Sequence, residues 1–232
     1  MFAPGDVISY LEMCLEEQLS LQRGMNFRVR GAHSVVLMST RSNAPYPDRI
    51  ESDGEVLIYE GHDAFAKRNG GSPKSLDQPW TSKSGRPTQN KLFFDAAKRA
   101  VVGGGSPEAV RVYEKIRDGI WVYNGLFRLL DAWIETRDGR KVFKFRLEIS
   151  PEQRIGGYGS VAVDLPHDRL IPSAVKLEVW KRDQGRCVKC GSANNLHFDH
   201  VLPYSKGGSS LVAQNVQILC ARHNLEKHDR VE

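Results

Sequence analysis

The sequence predicts an α+β protein of two domains, a larger, mostly β N-terminal domain and a small cysteine-containing C-terminal domain. Runs of Val, Ile, Leu, Phe and Trp bounded by turn residues recur through residues 1–150, which is typical of strands. Three of the four cysteines lie in residues 187–232, where their close spacing favours metal binding over disulfides. The length of 232 residues suits two small domains, since one domain usually spans about 100–200 residues.

Two helices are predicted in the N-terminal domain. Residues 6–22 place apolar side chains at three- and four-residue steps, opposite a glutamate face. This stripe consists of Val7, Ile8, Leu11, Cys14, Leu15 and Leu19. Because Cys14 falls on the stripe, we expect a core residue and not a reactive thiol. The second helix is predicted at residues 91–102, where the glycines at 103–105 end it.

Five strands are predicted around these helices, at residues 34–38, 55–59, 110–116, 126–134 and 142–149. The turn signals Asp53-Gly54, Asn124-Gly125 and Asp138-Gly139 separate several of them. Residues 66–90 are polar and rich in Gly, Pro and Ser, which indicates a long exposed loop.

A glycine- and proline-rich break predicts the domain boundary. It contains Gly156, Gly157, Gly159, Pro166 and Pro172. We therefore expect one domain at residues 1–150, a linker at 151–172 and a second domain at 173–232.

The net charge of +5 and a pI of about 9.0 permit a nucleic-acid partner without proving one. No apolar run approaches the about 18 residues of a membrane span, and the first residues do not resemble a signal peptide. We expect a cytoplasmic protein with no membrane partner.

The C-terminal cysteines form a strong metal-binding pattern. Cys187-X-X-Cys190 is followed by Cys220-X-X-His223, and two such pairs supply the four ligands of tetrahedral zinc. Four protein ligands leave no open coordination position, so this Zn²⁺ should stabilise the fold and take no part in chemistry.

Between the two pairs and directly after the second pair lie residues suited to phosphodiester hydrolysis. His197, Asp199 and His200 fall on a predicted strand, where His200 points away from the other two. The reaction needs a base to deprotonate water, for which histidine has a suitable pKa, and a divalent cation. The Asp199 carboxylate and the Asn224 carbonyl are oxygen ligands that suit Mg²⁺.

Residues 175–230 resemble the HNH, or ββα-metal, endonucleases. The resemblance is carried by the run from Trp180 to Cys190, Asp199-His200, Pro203, Gly207-Gly208, Asn215, Leu219-Cys220, Asn224 and Lys227. It implies that His200 is the general base, that Asp199 and Asn224 bind catalytic Mg²⁺ or Mn²⁺, and that Asn215 holds the hairpin presenting His200. His223 stands where many members have a fourth cysteine.

For several neighbouring side chains the sequence does not decide between a functional role and an ordinary one. His197 and His228 have no assigned role and are expected to be structural or solvated. Lys206, Arg222 and Lys227 are either phosphate contacts or ordinary surface charges.

Tyr46, Asp48 and Tyr59 are the candidate base-binding residues of the N-terminal domain. Aromatic faces can sandwich a flipped nucleobase while a carboxylate accepts from the cytosine amino group. By themselves, three such residues are more often core or surface features.

Residues 25–150 resemble the SRA (YDG) modified-cytosine-reading fold, a curved, β-barrel-like domain with flanking helices. The resemblance is carried by residues 31–37, the segment from Tyr46 to Gly54, Tyr59-Glu-Gly61, Asp77-Gln78, Arg111-Val112, Tyr123-Asn-Gly125, Trp133 and Phe145-Arg-Leu147. It implies that Tyr46 and Tyr59 sandwich flipped 5-methylcytosine or 5-hydroxymethylcytosine, and that Asp48 bonds its edge. Asn124 replaces the aspartate of the signature, and Glu60 replaces a usual threonine.

An SRA reader fused to an HNH nuclease resembles bacterial modification-dependent restriction enzymes. The resemblance implies that double-stranded DNA with modified cytosine is bound and cut nearby, leaving 5′-phosphate and 3′-hydroxyl ends. Since one HNH site cuts one strand, a homodimer is expected.

The basic residues of the predicted loop at 66–90 are either DNA contacts or solvated side chains. They are Lys67, Arg68, Lys74, Lys83 and Arg86.

Two alternatives stay open. One is an HNH nickase or structure-selective endonuclease that is indifferent to modification, and the other is a non-enzymatic reader of modified DNA. A zinc base deaminase is excluded, because no His-X-Glu precedes a Pro-Cys-X-X-Cys.

Overall fold

A computed structural model describes residues 2–64, 72–151, 170–202 and 207–227. The strands are β1 Val7–Ile8, β2 Met25–Val29, β3 His33–Met38, β4 Arg49–Glu51, β5 Val56–Glu60, β6 Glu108–Arg117, β7 Ile120–Arg137, β8 Arg140–Ile149, β9 Leu196–His200 and β10 Val216–Cys220. The helices are α1 Tyr10–Glu17, α2 Gln89–Gly103, α3 Ser173–Arg182 and α4 Ala221–Lys227.

The described N-terminal strands form one mixed sheet in the order β2-β3-β6-β7-β8-β5-β4, with β1 beside β7. Strands β3 and β6 run parallel, whereas the other pairs are antiparallel. The Tyr59 hydroxyl on β5 donates to the carbonyl oxygens of Gly24 (3.0 Å) and Leu37 (3.4 Å), which lie near the opposite end of the strand order. These contacts between the two ends show that the sheet curves strongly. The predicted curved, β-rich domain with flanking helices is confirmed.

Helix α2 fills the interior of this curved sheet. Phe93 and Ala97 are buried at 1% and 0% exposure among side chains of the surrounding strands. Thr88 caps the helix by accepting from the Lys91 N–H, and Gly104 ends it with a φ of +63°. The predicted helix at 91–102 is confirmed with slightly wider bounds.

The five predicted strands of this sheet are confirmed, and β1, β2 and β4 are additional. Asp138-Gly139 forms the two-residue turn between β7 and β8, with both φ angles positive (+52° and +75°), as a type I′ hairpin requires. The predicted turn at Asn124-Gly125 is wrong, because both residues lie inside β7. Gly125 has a φ of +105° and sits at a register shift opposite β6, so its glycine serves a β-bulge.

Helix α1 differs from its prediction in length and in its buried face. Val7 and Ile8 pair with β7 as strand β1, and the helix then covers only Tyr10–Glu17. Leu11 and Leu15 are 67% and 66% exposed, whereas Met13 and Glu17 are buried. The buried face is set by Glu17, whose carboxylate bonds the His33 ring and the Tyr113 hydroxyl of the sheet.

The C-terminal domain combines α3, the antiparallel hairpin β9–β10 and α4. Most of the predicted linker lies outside the described residues. At its end, Leu170 and Ile171 are buried at 5% and 6% exposure, and the Leu170 N–H donates to the Gly54 carbonyl oxygen (3.1 Å). The residue bounds of the two domains stay a prediction.

Among the described residues, no helix is both long enough and apolar enough to cross a membrane.

Candidate functional site

The hairpin β9–β10 carries the predicted catalytic pair. Its register places His200 opposite Val216 and Asp199 opposite Gln217. Side chains alternate along β9, so His200 is buried with the core residues while Asp199 is half-buried on the other face. The two predicted catalytic side chains therefore leave opposite faces of one strand, as their spacing predicts.

Asn215 closes the loop that follows β9. Its Oδ1 accepts from the Leu202 N–H (2.8 Å), and its Nδ2 donates to the carbonyl oxygens of Leu202 and Ser209 (both 3.0 Å). A Cβ on Gly208 would lie 1.8 Å from the Leu202 oxygen, so this loop needs glycine there. These bonds support the predicted role of Asn215, although Pro203 and Lys206 lie outside the described residues.

The His200 imidazole is 9% exposed. Its Nε2 lies 2.8 Å from the Oγ of Ser210, which is itself buried at 3% exposure. A buried hydroxyl at this distance holds the imidazole plane in one orientation.

For Lys227, sequence reasoning left a phosphate contact or a surface charge open, and it did not predict that this side chain is buried beside Asp199 and His200. The residue is 1% exposed, and its Nζ donates to the His200 carbonyl oxygen (2.6 Å) and pairs with Asp199 Oδ2 (2.9 Å). Asn224 lies one turn earlier on α4, and residues three apart share a helix face. This three-residue spacing was the feature of the sequence that could have placed Lys227 on the same helix face as Asn224.

The predicted zinc ligands converge. One ligand atom from each of Cys187, Cys190, Cys220 and His223 lies within 4.8 Å of the others. The sulfurs of Cys190 and Cys220 are 3.8 Å apart, and His223 Nδ1 is 3.3 Å and 3.4 Å from Cys187 and Cys220. Tetrahedral zinc with Zn–S of about 2.3 Å has sulfur–sulfur edges of about 3.8 Å, so the cluster can hold zinc.

The surroundings of the Cys187 thiol favour its deprotonated form. Burial raises its pKa, but hydrogen bonds from backbone N–H groups of the two knuckles and from His223 outweigh burial and lower the pKa to about 6. The thiolate is the form of cysteine that binds metals.

The predicted base-binding residues lie close together at one end of the curved sheet. Asp48 is buried, and its two carboxylate oxygens accept from the backbone N–H groups of Glu60 (3.0 Å) and Ser39 (3.1 Å). Burial raises the pKa of Asp48 to about 7, although these two hydrogen bonds oppose the rise. Tyr59, adjacent to Glu60, is buried at 3% exposure.

Tyr46 is half-buried beside this group. Its hydroxyl accepts from the Asp63 N–H (3.1 Å), and Lys74 Nζ lies 4.0 Å from the centre of its ring. Lys74 also pairs with the Asp63 carboxylate (3.0 Å). Of the predicted loop cations, Lys74 therefore packs against a predicted base-binding residue, whereas Lys67 and Arg68 lie outside the described residues.

A buried charge cluster surrounds Glu60 and was also missed. The Glu60 carboxylate is 0% exposed and pairs with Lys144 (2.7 Å), Arg137 (3.1 Å) and Arg140 (3.6 Å). The cations come from β7 and β8, distant in sequence from β5, so the strand pattern alone could not reveal the cluster.

Comparison with protein families matches residues 5–153 to "SAD/SRA domain" and residues 187–230 to "HNH endonuclease". Matching solved structures include the SUVH5 SRA domain with fully methylated CG DNA, with 25% identity over 64% of this chain and 90% of that chain, and a TM-score of 0.45. The SUVH5 SRA domain bound to fully hydroxymethylated CG DNA is 23% identical over 69% and 94%, with a TM-score of 0.46. Arabidopsis thaliana SUVH6 in complex with SAM is 21% identical over 65% and 25%, with a TM-score of 0.39. Comparison with curated proteins finds no significant match.

Proposed function

The chain belongs to the SAD/SRA domain family and carries an HNH endonuclease region, and from this premise we propose that it is a modification-dependent DNA endonuclease. Its SRA domain recognises 5-methylcytosine or 5-hydroxymethylcytosine in duplex DNA, and its HNH domain hydrolyses a phosphodiester bond nearby. The observation that carries the proposal is the β9–β10 hairpin, which presents Asp199 and His200, is closed by Asn215 and lies beside the Cys₃His cluster.

In this proposal His200 accepts the proton of the attacking water, while Ser210 holds the imidazole in place. Asp199 and Asn224 offer a carboxylate and an amide oxygen, and this donor set fits Mg²⁺ or Mn²⁺. When bound, such a cation stabilises negative charge on the phosphate and on the leaving oxygen. Lys227 holds the Asp199 carboxylate and the His200 backbone at a common position.

In the reader domain, Tyr46 and Tyr59 sandwich the flipped base and Asp48 accepts from its amino group. Both Asp48 oxygens already accept one backbone N–H, but each oxygen has a second lone pair for the base. Lys74 covers one face of the Tyr46 ring, so a stacked base takes the other face or displaces this lysine.

The biological setting follows from the same proposal. A single HNH site cuts one strand, so a double-strand break requires two copies, and we propose a homodimer acting in restriction in the bacterial cytoplasm. Sedimentation of the chain with and without modified duplex measures the oligomeric state.

Cleavage of matched plasmids tests the proposal directly. The plasmids are unmodified, 5-methylated or 5-hydroxymethylated at cytosine, and each is incubated with Mg²⁺ or Mn²⁺, with EDTA as a control. We expect cleavage of modified DNA only. Equal cleavage of all plasmids would favour the modification-indifferent nuclease, and binding of modified DNA without cleavage would favour the non-enzymatic reader.

His200→Ala separates cutting from reading. We expect cleavage to fall by at least about 100-fold, because the general base is lost, while affinity for modified duplex stays at the wild-type value. Glu178→Ala, on an exposed position of α3, is the matched control and should cut normally. Wild-type cleavage by His200→Ala would reject His200 as the base.

A further inference from the structure

We propose that reader and nuclease form one rigid unit, in which residues 5–8 and Lys176 hold the β9–β10 hairpin at a set position on the SRA sheet. The cut then falls at a set distance from the modified base. This inference rests on the proposed function and adds positioning residues that act through the catalytic strand.

A backbone segment near the N-terminus is hydrogen-bonded to both domains. The Gly5 N–H donates to the Tyr123 carbonyl oxygen (2.8 Å), and the Tyr123 N–H donates to the Asp6 oxygen (3.0 Å). On the other edge of the segment, the Phe198 N–H donates to the Gly5 oxygen (3.0 Å), and Asp6 forms an antiparallel bridge with His197. Residues 5–8 thus join β7 of the reader to β9 of the nuclease.

This tie lies on the strand that carries the predicted catalytic pair. His197 Nδ1 contacts the Asp6 carboxylate, and both side chains are mostly buried (16% and 15% exposed). His197 and Asp199 share a face of β9, and His200 ends the strand. A shift of β9 against residues 5–8 therefore moves Asp199 and His200 directly.

A buried ion pair forms a second tie, between α3 and the reader sheet. Lys176 Nζ donates to Glu114 Oε2 on β6 (2.6 Å) and to Asn124 Oδ1 on β7 (2.7 Å). The Lys176 and Glu114 side chains are 2% and 0% exposed, and the Ser173 hydroxyl also donates to Glu114. Charges buried this deeply need their partners in place, so the pair favours one orientation of α3.

The space between these ties is filled by one apolar core. It combines Val7, Ile116 and Val122 of the reader with Val179, Phe198 and Val216 of the nuclease. Domains that move against each other usually meet through smaller and more polar interfaces. A nuclease held only by a flexible tether would instead cut over a range of distances set by the tether length.

Mapping the cuts on a long duplex with a single 5-methylcytosine tests the proposal. Both strands are end-labelled, and products are resolved to single nucleotides. We expect cuts at about one or two adjacent phosphodiesters per strand, as a rigidly placed site gives. Cuts scattered over about one turn of DNA, roughly 10 base pairs, would overturn the proposal.

Two glycine variants make a matched pair for the tie. Gly5 and Gly31 both have positive φ angles (+94° and +78°), but a Cβ on Gly5 would lie 2.9 Å from the Phe198 oxygen, whereas a Cβ on Gly31 would meet nothing within 4 Å. We expect Gly5→Ala to widen the cut window about threefold with unchanged affinity for modified DNA, and Gly31→Ala to keep the wild-type window. Identical ranges of cut positions for the two variants would show that residues 5–8 do not position the β9–β10 hairpin.

Thermal unfolding distinguishes this proposal from the proposed function. One shared transition for both domains is expected, and two separate transitions in the wild-type chain would overturn the rigid unit. One shared transition without any cleavage of modified DNA would reject the proposed function, and with it the set cutting distance. If Gly5→Ala unfolds, His197→Ala removes the contact with Asp6 and gives the same test of the cut window.

Discussion

Lys227 shows at the residue scale how a charged side chain can be buried, here beside the proposed catalytic residues Asp199 and His200. A lysine is seldom fully buried unless its charge is paired, and this one pairs with Asp199 (2.9 Å) and bonds the His200 carbonyl oxygen (2.6 Å). These two contacts join α4 to β9 at the proposed catalytic site.

Replacing Lys227 by methionine removes the charge and keeps most of the side-chain volume. We expect the cleavage rate to fall about 10–100-fold, as loss of a residue that orients a metal ligand usually does, with DNA affinity unchanged. Single-turnover cleavage and duplex binding measure the two effects. Lys181→Met, at an exposed lysine on α3, should cut at the wild-type rate, and equal rates for both variants would contradict the positioning role.

Asp48 is the second residue whose surroundings predict a measurable effect. Burial raises its folded-state pKa to about 7 from the ordinary 3.8. An acid with a raised folded pKa contributes stability that is present below about pH 4 and is lost as pH rises to about 7. The folded state therefore favours the protonated carboxyl of Asp48 between these pH values.

Asp48→Asn removes this titration and places an amide NH₂ against one of two backbone N–H donors. We expect the variant to be less stable than wild type, and the difference in unfolding free energy to be about 2 kcal/mol larger at pH 5 than at pH 8. Urea unfolding at both pH values checks this. A stability difference that is independent of pH would show that Asp48 has an ordinary pKa. In a binding assay, an unchanged preference of Asp48→Asn for modified DNA would show that the modified base is read elsewhere.

At the scale of elements, the Cys₃His cluster joins α4 to β10 and to the knuckle at residues 187–190. Because such small modules derive much of their stability from zinc, worth about 10–16 kcal/mol of binding free energy, we expect Cys187→Ala to lose zinc and to lower the melting temperature of the transition that both domains share. Zinc content and far-UV circular dichroism measure both. Cys14→Ala, at the half-buried cysteine outside the cluster, is the control, and a Cys187→Ala chain that retained zinc and its melting temperature would contradict a structural role.

Helix α3 is held by the buried pair of Lys176 and Glu114. Lys176→Met leaves Glu114 without its cation, so we expect a loss of about 3–5 kcal/mol in unfolding free energy. Adding Glu114→Gln should recover part of this loss, since the unpaired charge is then removed. Lys181→Met, exposed on the same helix, should change stability little. Equal denaturant midpoints for both lysine variants would show that the buried pair contributes nothing.

At the scale of the whole molecule, the two family regions meet through a common core and a common strand. Residues 5–8 pair with β7 and contact β9, so the start of the chain contributes to the C-terminal domain. On the proposal of a rigid unit, this arrangement sets the relative position of the two domains.

The zinc ligands were predictable because Cys187, Cys190, Cys220 and His223 form two short-range pairs with a known ligand geometry. Helix α2 and the turn at Asp138-Gly139 were predictable because glycine acts locally on φ. The buried face of α1 was not predictable, because Glu17 is drawn inward by Tyr113 and His33 from strands distant in sequence. Asn124-Gly125 has the local signature of a turn, but its bulge depends on pairing with β6.

By itself, the sequence determined the α+β class, the two functional regions, the metal cluster and the candidate catalytic and base-binding residues. The α+β class and the metal cluster follow from periodicity, spacing and local backbone preferences, which act within a few residues. The two functional regions and the candidate catalytic and base-binding residues rest on the resemblance to the SRA and HNH families. Only the tertiary structure decided that Lys227 is buried against Asp199, that Lys176 pairs with Glu114, and that residues 5–8 join both domains. Such contacts join residues distant in the chain, and their burial and charge pairing exist only once the strands and helices have packed.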